Sequence, residues 1–366
     1  MKRFLYAVGI FAAATVLVFV TLWQGELRTL ASLRQVEGNS FLYRMEFKCR
    51  YDLDELLSQD IDSNAKLLQY CVRRVGKGLP LKFSSSEVRT DTLACTSFQV
   101  QNAQAAGYLF GRNYDARKNP ALLVESHPKD GYASLAMTDL SHLGYGMDKL
   151  PNTLLRQISC LAAIYAPLDG INEKGFCAAV HIAYQNGRVH QDTGRHKVGT
   201  TTLLRLWLDR CASVEEALSL LETVDVCQDA TYQYLLADAE GDAAIVEFDH
   251  EHGWKTLVIR KKRCDEPLLL ANHLMAPEYP SVPEEGNPRN SWGRYAGAWQ
   301  YLDAHGGALT LPEAQECLSL IHWTDYVRTD ESVSDTQWSG VYDQSALTLN
   351  LRFWNDYGKT HRFRLP

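Results

Sequence analysis

The stretch Ala94-Cys95-Thr96-Ser97-Phe98, followed by Gly111-Arg112-Asn113-Tyr114-Asp115, decides how this chain is read. A cysteine, an extended segment, and then an arginine and an aspartate three residues apart form a workable layout for a thiol nucleophile. A neighbouring cation favours the thiolate, and a carboxylate can orient the group that takes up the proton. Outward from Cys95 the pattern is of short alternating strands, at Cys95–Gln101, Gly107–Arg112, Ala121–Glu125 and Tyr132–Thr138. A further strand is predicted over Phe176–Ala183, after the turn residue Gly175.

Helices follow. Thr201–Asp209 carries a strong apolar face, and Ser213-Val214-Glu215-Glu216 has capping-box spacing that opens a second helix through Leu221. Thr310-Leu311-Pro312-Glu313 repeats that signal before a helix containing Cys317. Tyr232–Ala237 and Ala243–Asp249 flank Asp238-Ala239-Glu240-Gly241-Asp242, which predicts a hairpin. Trp338–Tyr342, Leu347–Trp354 and a last strand through Phe363 read as a β meander. Strands, central helices, then strands, helices and strands again predict an α+β fold with helices laid over antiparallel sheets.

Upstream of Cys95, residues 24 to about 40 read as a helical or loose spacer. Phe41–Phe47 is strand-like, Asp54–Val75 is polar and helix-prone, and Ser84–Thr92 reads as an exposed Ser/Thr-rich loop. At the amino terminus, Met1-Lys2-Arg3 precedes an uncharged, mostly apolar run from Phe4 to Trp23. That run is close to the ~20 residues needed to span a bilayer and exceeds the ~7–15 of a usual signal-peptide core. The expectation is a single-pass signal anchor over residues 1–23 with the remainder outside the cytoplasm, a cleaved signal peptide being the alternative.

Composition narrows the function classes. The net charge of −7, with no long basic run after the amino terminus, argues against a nucleic-acid partner. Hydrophobic residues make up 46% of the 366, enough to fill a sizeable core. None of the nine cysteines forms a Cys-x-x-Cys pair, so zinc and thioredoxin-like chemistry are poorly supported. Cys160, Cys177, Cys211 and Cys317 sit in apolar surroundings and read as small core residues.

Four blocks, in order across nearly all of residues 95–366, resemble the choloylglycine hydrolase family, the cysteine branch of the N-terminal nucleophile hydrolases. They are Cys95 with Arg112, Asn113 and Asp115; Asp169-Gly170-Ile171-Asn172-Glu173-Lys174-Gly175-Phe176, which leads to His181; Leu270-Ala271-Asn272-His273; and Ser291-Trp292-Gly293-Arg294-Tyr295. The resemblance implies a four-layer αββα sandwich and hydrolysis of a linear carbon–nitrogen amide bond. It also implies that Cys95 becomes the first residue of a mature chain, which divides the sequence into a leader, 24–94, and a catalytic domain, 95–366.

Cys95 would then carry both the thiol and the α-amine that serves as base. Arg112 is expected to favour the thiolate, Asp115 to hold the amine, Asn272 to donate to the oxyanion, and Arg294 to brace the site. His181 departs from the family, which often has Asn or Tyr near that place. It reads either as an oxyanion donor or as a satisfied core histidine. No cofactor or metal is needed for this chemistry. The expected partner is a small acyl amide, bile-salt-like, penicillin-like or an N-acyl amino acid, and a homo-oligomer is possible. An acyltransferase using the same thioester and a non-catalytic ligand-binding relative are the competing readings.

Overall fold

The computed structural model describes residues 2–77, 93–183, 187–277, 291–324, 326–327 and 333–366. The expected Ser84–Thr92 loop lies outside the described residues. Two large sheets stack face to face. The first has nine strands, in the order Arg34–Gln35, Leu42–Phe47, Ala121–Ser126, Ser134–Asp139, Asp169–Asn172, Cys177–Ile182, Tyr232–Ala237, Ala243–Asp249 and Lys255–Arg260. The second runs Leu268–Leu270, Ala94–Asn102, Tyr108–Ala116, Val333–Asp343, Thr348–Phe353 and His361–Arg364, with two short strands joined beside it. The helix Thr200–Arg210 packs on the first sheet, and Ser291–Ala304 and Leu311–Leu320 pack on the second. This is a mixed α+β fold, as expected.

Strand periodicity sorts the side chains of the second sheet. Successive residues of a strand face opposite sides. On Ala94–Asn102, Phe98 and Val100 therefore join Leu302 and Leu318 in a core under the two C-terminal helices. Cys95 and Ser97 instead face the first sheet, where they meet Val180 and His181. Gly111 lies opposite Phe98 across the ladder, and a Cβ there would come within 2.3 Å of the Phe98 ring. Only glycine fits that position.

The segment upstream of Cys95, the expected leader, is part of the fold. Leu42–Phe47 pairs in parallel with Ala121–Ser126 as a continuation of the first sheet. The helix-prone stretch Asp54–Val75 is two helices, Leu53–Leu57 and Asn64–Gly76. They are separated near Asp60, whose φ of +49° cannot continue a helix. Residues 24 to 40 contain the helix Gln24–Ser32. Ahead of it, Lys2–Leu22 is one helix, long and apolar enough by length and composition to cross a membrane, and Phe4, Ile10, Phe11 and Leu17 are exposed along it.

Several local expectations hold, with adjustments. Thr310 and Glu313 form a complete capping box. At the other site Ser213 accepts from the Glu216 N–H, but the Glu216 carboxylate accepts from Ala212, so that box is half made. The strand predicted to end at Arg112 continues to Ala116 and carries Asp115 with it. All nine cysteines are unpaired thiols. Cys160, Cys177, Cys211 and Cys317 are buried, as their apolar surroundings implied.

Candidate active site

Cys95 is the second residue of its strand, 2% exposed, with its backbone and side chain held from opposite directions. Its N–H donates to Asn272 Oδ1 at 2.9 Å, and its carbonyl accepts from Arg294 Nη1 at 2.5 Å. The same guanidinium bonds Thr96 Oγ1 at 2.5 Å and Asn272 Oδ1 at 2.7 Å. Arg294 thus ties the strand of Cys95 to Asn272 through a planar fork of donors, a geometry an ammonium cannot reproduce.

Arg112 and Asp115 are three residues apart on one strand, so they face opposite sides of the sheet. Arg112 projects between the sheets. It donates to the Val180 carbonyl at 2.8 Å and to His181 Nε2 at 3.1 Å, and its Nε lies 3.4 Å from Asp169 Oδ2. Burial pushes the Cys95 thiol up to about 11, and the Arg112 and Arg294 charges oppose that push. Asp115 faces the helix layer instead. Its Oδ1 accepts from Thr336 Oγ1 at 2.6 Å, and its Oδ2 sits 3.8 Å from Arg294 Nη1 with no hydrogen-bond donor. Burial pushes the Asp115 carboxyl above the usual range, against the pull of Arg294. The cation serves the thiol side, whereas the carboxylate lies on the backbone side, where Ala94 is its cross-strand partner.

A bulge shapes both neighbourhoods. The register between Val333–Asp343 and Tyr108–Ala116 shifts between Thr336 and Trp338. Without the shift, two residues so spaced would share a face. With it, Thr336 turns outward to Asp115, while the Trp338 indole turns inward and donates to Asp169 Oδ2 at 2.9 Å. Tyr342 donates to the other Asp169 oxygen. Asp169 is fully buried, and its charge has Arg112, Trp338 and Tyr342 as partners.

His181 has an unambiguous tautomer. Nδ1 lies 3.0 Å from the Ala271 carbonyl, which can only accept, so Nδ1 carries the proton. Nε2 then accepts from Arg112 and, at 2.8 Å, from the Ser97 hydroxyl. Burial and the Arg112 charge hold the imidazole pKa well below its usual value. The ring is neutral and its single donor is occupied, so the geometry matches the satisfied core histidine and not the oxyanion donor. Asn272 gives one of its two amide N–H groups, at 2.7 Å, to the Ile182 carbonyl. His273 stacks on Trp292 at 3.6 Å and bonds Ser291, contacts of a structural residue.

A cavity of about 590 Å³ opens in front of Cys95, lined on the catalytic side by Tyr114, Val180 and Ile182. Its opposite wall was not foreseen from sequence: Leu67, Leu68 and Cys71 of the leader helix Asn64–Gly76. Asp169 was also missed as a site residue, although it begins one of the resemblance blocks. An aspartate beside glycine reads as a turn, and only the folded chain places its carboxylate beside Arg112.

Comparison with family models matches residues 100–356 to the acyl-coenzyme A:6-aminopenicillanic acid acyl-transferase family. The matched residues begin just after Cys95. Among solved structures, a variant of conjugated bile acid hydrolase from Clostridium perfringens is similar at 15% identity and TM-score 0.55, covering 74% of this chain and 92% of that one. A cysteine mutant of the same enzyme gives 15% identity and TM-score 0.54 over the same shares. Penicillin V acylase from Agrobacterium tumefaciens is 18% identical with TM-score 0.47, over 71% of this chain and 83% of its own. At 15% identity the likeness to the bile acid hydrolase is one of fold. No curated protein matches the sequence.

Proposed function

The chain belongs to the acyl-coenzyme A:6-aminopenicillanic acid acyl-transferase family, of the choloylglycine hydrolase and penicillin acylase kind, and on that premise we propose that it is a cysteine amidase of linear N-acyl amides. The observation that carries the reading is the setting of Cys95. Its amide nitrogen and carbonyl are clamped by Asn272 and Arg294, while its thiol lies beside Arg112 at the edge of a substrate-sized cavity.

In this reading the fold is an N-terminal nucleophile sandwich, and Cys95 first acts on its own chain. The thiol sulfur attacks the Ala94 carbonyl carbon, the Ala94–Cys95 C–N bond breaks, and the released nitrogen takes the proton. Water then hydrolyses the thioester. The new α-amine becomes the base that the uncut chain lacks, held at Asn272 Oδ1, with Asp115 opposite Ala94 across the ladder. Attack on a substrate amide repeats the same bond changes, with the substrate amine leaving. Once the strand end is freed, the Asn272 amide is the group we assign to the oxyanion. Arg112, steadied by His181 and Asp169, favours the thiolate. The apolar helix Lys2–Leu22, behind Lys2 and Arg3, anchors this unit outside the cytoplasm.

Intact-mass measurement of the purified protein should show a fragment beginning at Cys95, and Cys95→Ala should remain full length. Amine release from a panel of acyl amides should depend on Cys95. An uncut wild-type chain that hydrolyses amides would falsify the mechanism, and an uncut chain with no turnover would favour a ligand-binding role. Membership of an acyl-transferase family favours a second reading, acyl transfer to an amine. Added amine acceptors would then lower the acid product in proportion to the new amide formed.

A further inference from the structure

The cavity before Cys95 has an aliphatic wall that belongs to the leader. Asn64, Leu67, Leu68 and Cys71 recur at three- and four-residue spacing on one face of the helix Asn64–Gly76 and line the hollow. Tyr70, to one side of that face, and Val75, one turn beyond Cys71 along it, are buried against protein. Leu67 and Leu68 are only half-buried, because their free side is the hollow itself. Val180 and Ile182 extend the apolar lining across to the thiol.

This wall is fixed at both ends. The Asn64 N–H donates to Asp229 Oδ2 at 2.8 Å, and Ser63 caps the first turn through the Lys66 N–H. At the other end the Trp23 indole donates to the Val75 carbonyl at 3.4 Å, and Lys77 donates to the Leu22 carbonyl at 2.5 Å and pairs with Glu26 at 2.6 Å. A wall held in this way needs little ordering when a ligand arrives. From Asn64 to Cys71 it spans about 10 Å of helix axis, which suits an extended chain laid alongside.

We infer that the leader helix Asn64–Gly76 is the specificity-determining wall of the site, and that the substrate's acyl group is an unbranched apolar chain lying along Leu67 and Leu68. The inference rests on the amidase reading for the direction of the substrate, with its acyl carbon at Cys95. Along this wall a charged or strongly polar acyl group would lose its hydration against leucines, whereas the polar lining, Arg188, Asp229 and Thr201, is left to the rest of the substrate.

The test uses the full-length, self-processed protein. Hydrolysis of N-acyl amides with short and long unbranched chains is measured alongside binding of the matching fatty carboxylates, read by displacement of a fluorescent fatty acid. Leu68→Trp fills the hollow and should cut long-chain kcat/KM roughly tenfold or more, the worth of about two buried methylenes, while short-chain kcat/KM stays within about twofold. Leu68→Ala enlarges the hollow and should tilt preference towards longer chains, which keeps the test decisive should the tryptophan variant fold poorly. An unchanged long-to-short ratio in binding and turnover for both variants overturns the inference. Long-chain carboxylate binding that shifts with Leu68, without amide turnover in the wild type, supports the wall and overturns the amidase reading.

Discussion

Cutting the chain before Cys95 should not release the leader. Leu42, Met45, Leu56, Ile61, Tyr70 and Cys71 are each at most 3% exposed. At ~1.5–3 kcal/mol for each fully buried side chain, these six contribute about 9–18 kcal/mol. Tyr43, Phe47, Tyr51 and Leu53 are also buried and add roughly 6–12 kcal/mol. If about half of the total area is leader against leader, some 8–15 kcal/mol still binds the fragments, comparable to the ~4–15 kcal/mol lost in bringing two chains together. The parallel ladder from Leu42 to Phe47 and the Tyr51 hydroxyl bond to Asp209 at 2.7 Å then tip the balance towards a retained pair. The two fragments should co-elute in gel filtration after processing and separate only in denaturant. Met45→Asp places an unpaired charge in the buried strand, and should free the leader or prevent folding. Clean separation of the wild-type fragments in plain buffer would refute the reasoning.

Three further outcomes follow from the site. Because burial raises the Cys95 thiol to about 11, self-cleavage of protein refolded at low pH should speed up about tenfold per pH unit from neutrality and level off above that value, measured by gel densitometry after a pH jump. A rate independent of pH would exclude the buried thiolate as attacker. His181→Phe removes the acceptor that meets Arg112 and Ser97 and should slow amide turnover by about 10²-fold at unchanged substrate affinity, while His181→Gln restores part of the rate. Equal rates for the wild type and His181→Phe, per folded molecule, would assign the ring to packing alone. Asp169→Asn leaves the Arg112 charge buried without its counter-ion and should lower stability by about 3–5 kcal/mol in urea titration, with slower cleavage; a change under ~0.5 kcal/mol would show that Trp338 and Tyr342 alone suffice to hold the site.

What the amino-acid order determined was local and periodic. Alternation along Cys95–Gln101 and Tyr232–Ala237, the Thr310/Glu313 box and the unbroken apolar run at the amino terminus each express one residue's preference for its neighbours, so they are legible without the fold. Even the division of labour between Arg112 and Asp115 was available, since an odd spacing in a strand puts two side chains on opposite faces. Tertiary structure decided what depends on distant segments meeting. One bulged residue in Val333–Asp343 sets Trp338 on Asp169 and Thr336 on Asp115, and no pattern near either aspartate encodes it. His181 read equally well as donor or core residue until the Ala271 carbonyl, 90 residues away, claimed its only proton. The alternation of Phe41–Phe47 announces a strand, but not the partner it pairs with. That strand extends a sheet built from residues beyond Cys95, and Leu67 and Leu68 face a thiol they precede in sequence, contacts that exist only once the chain has closed on itself.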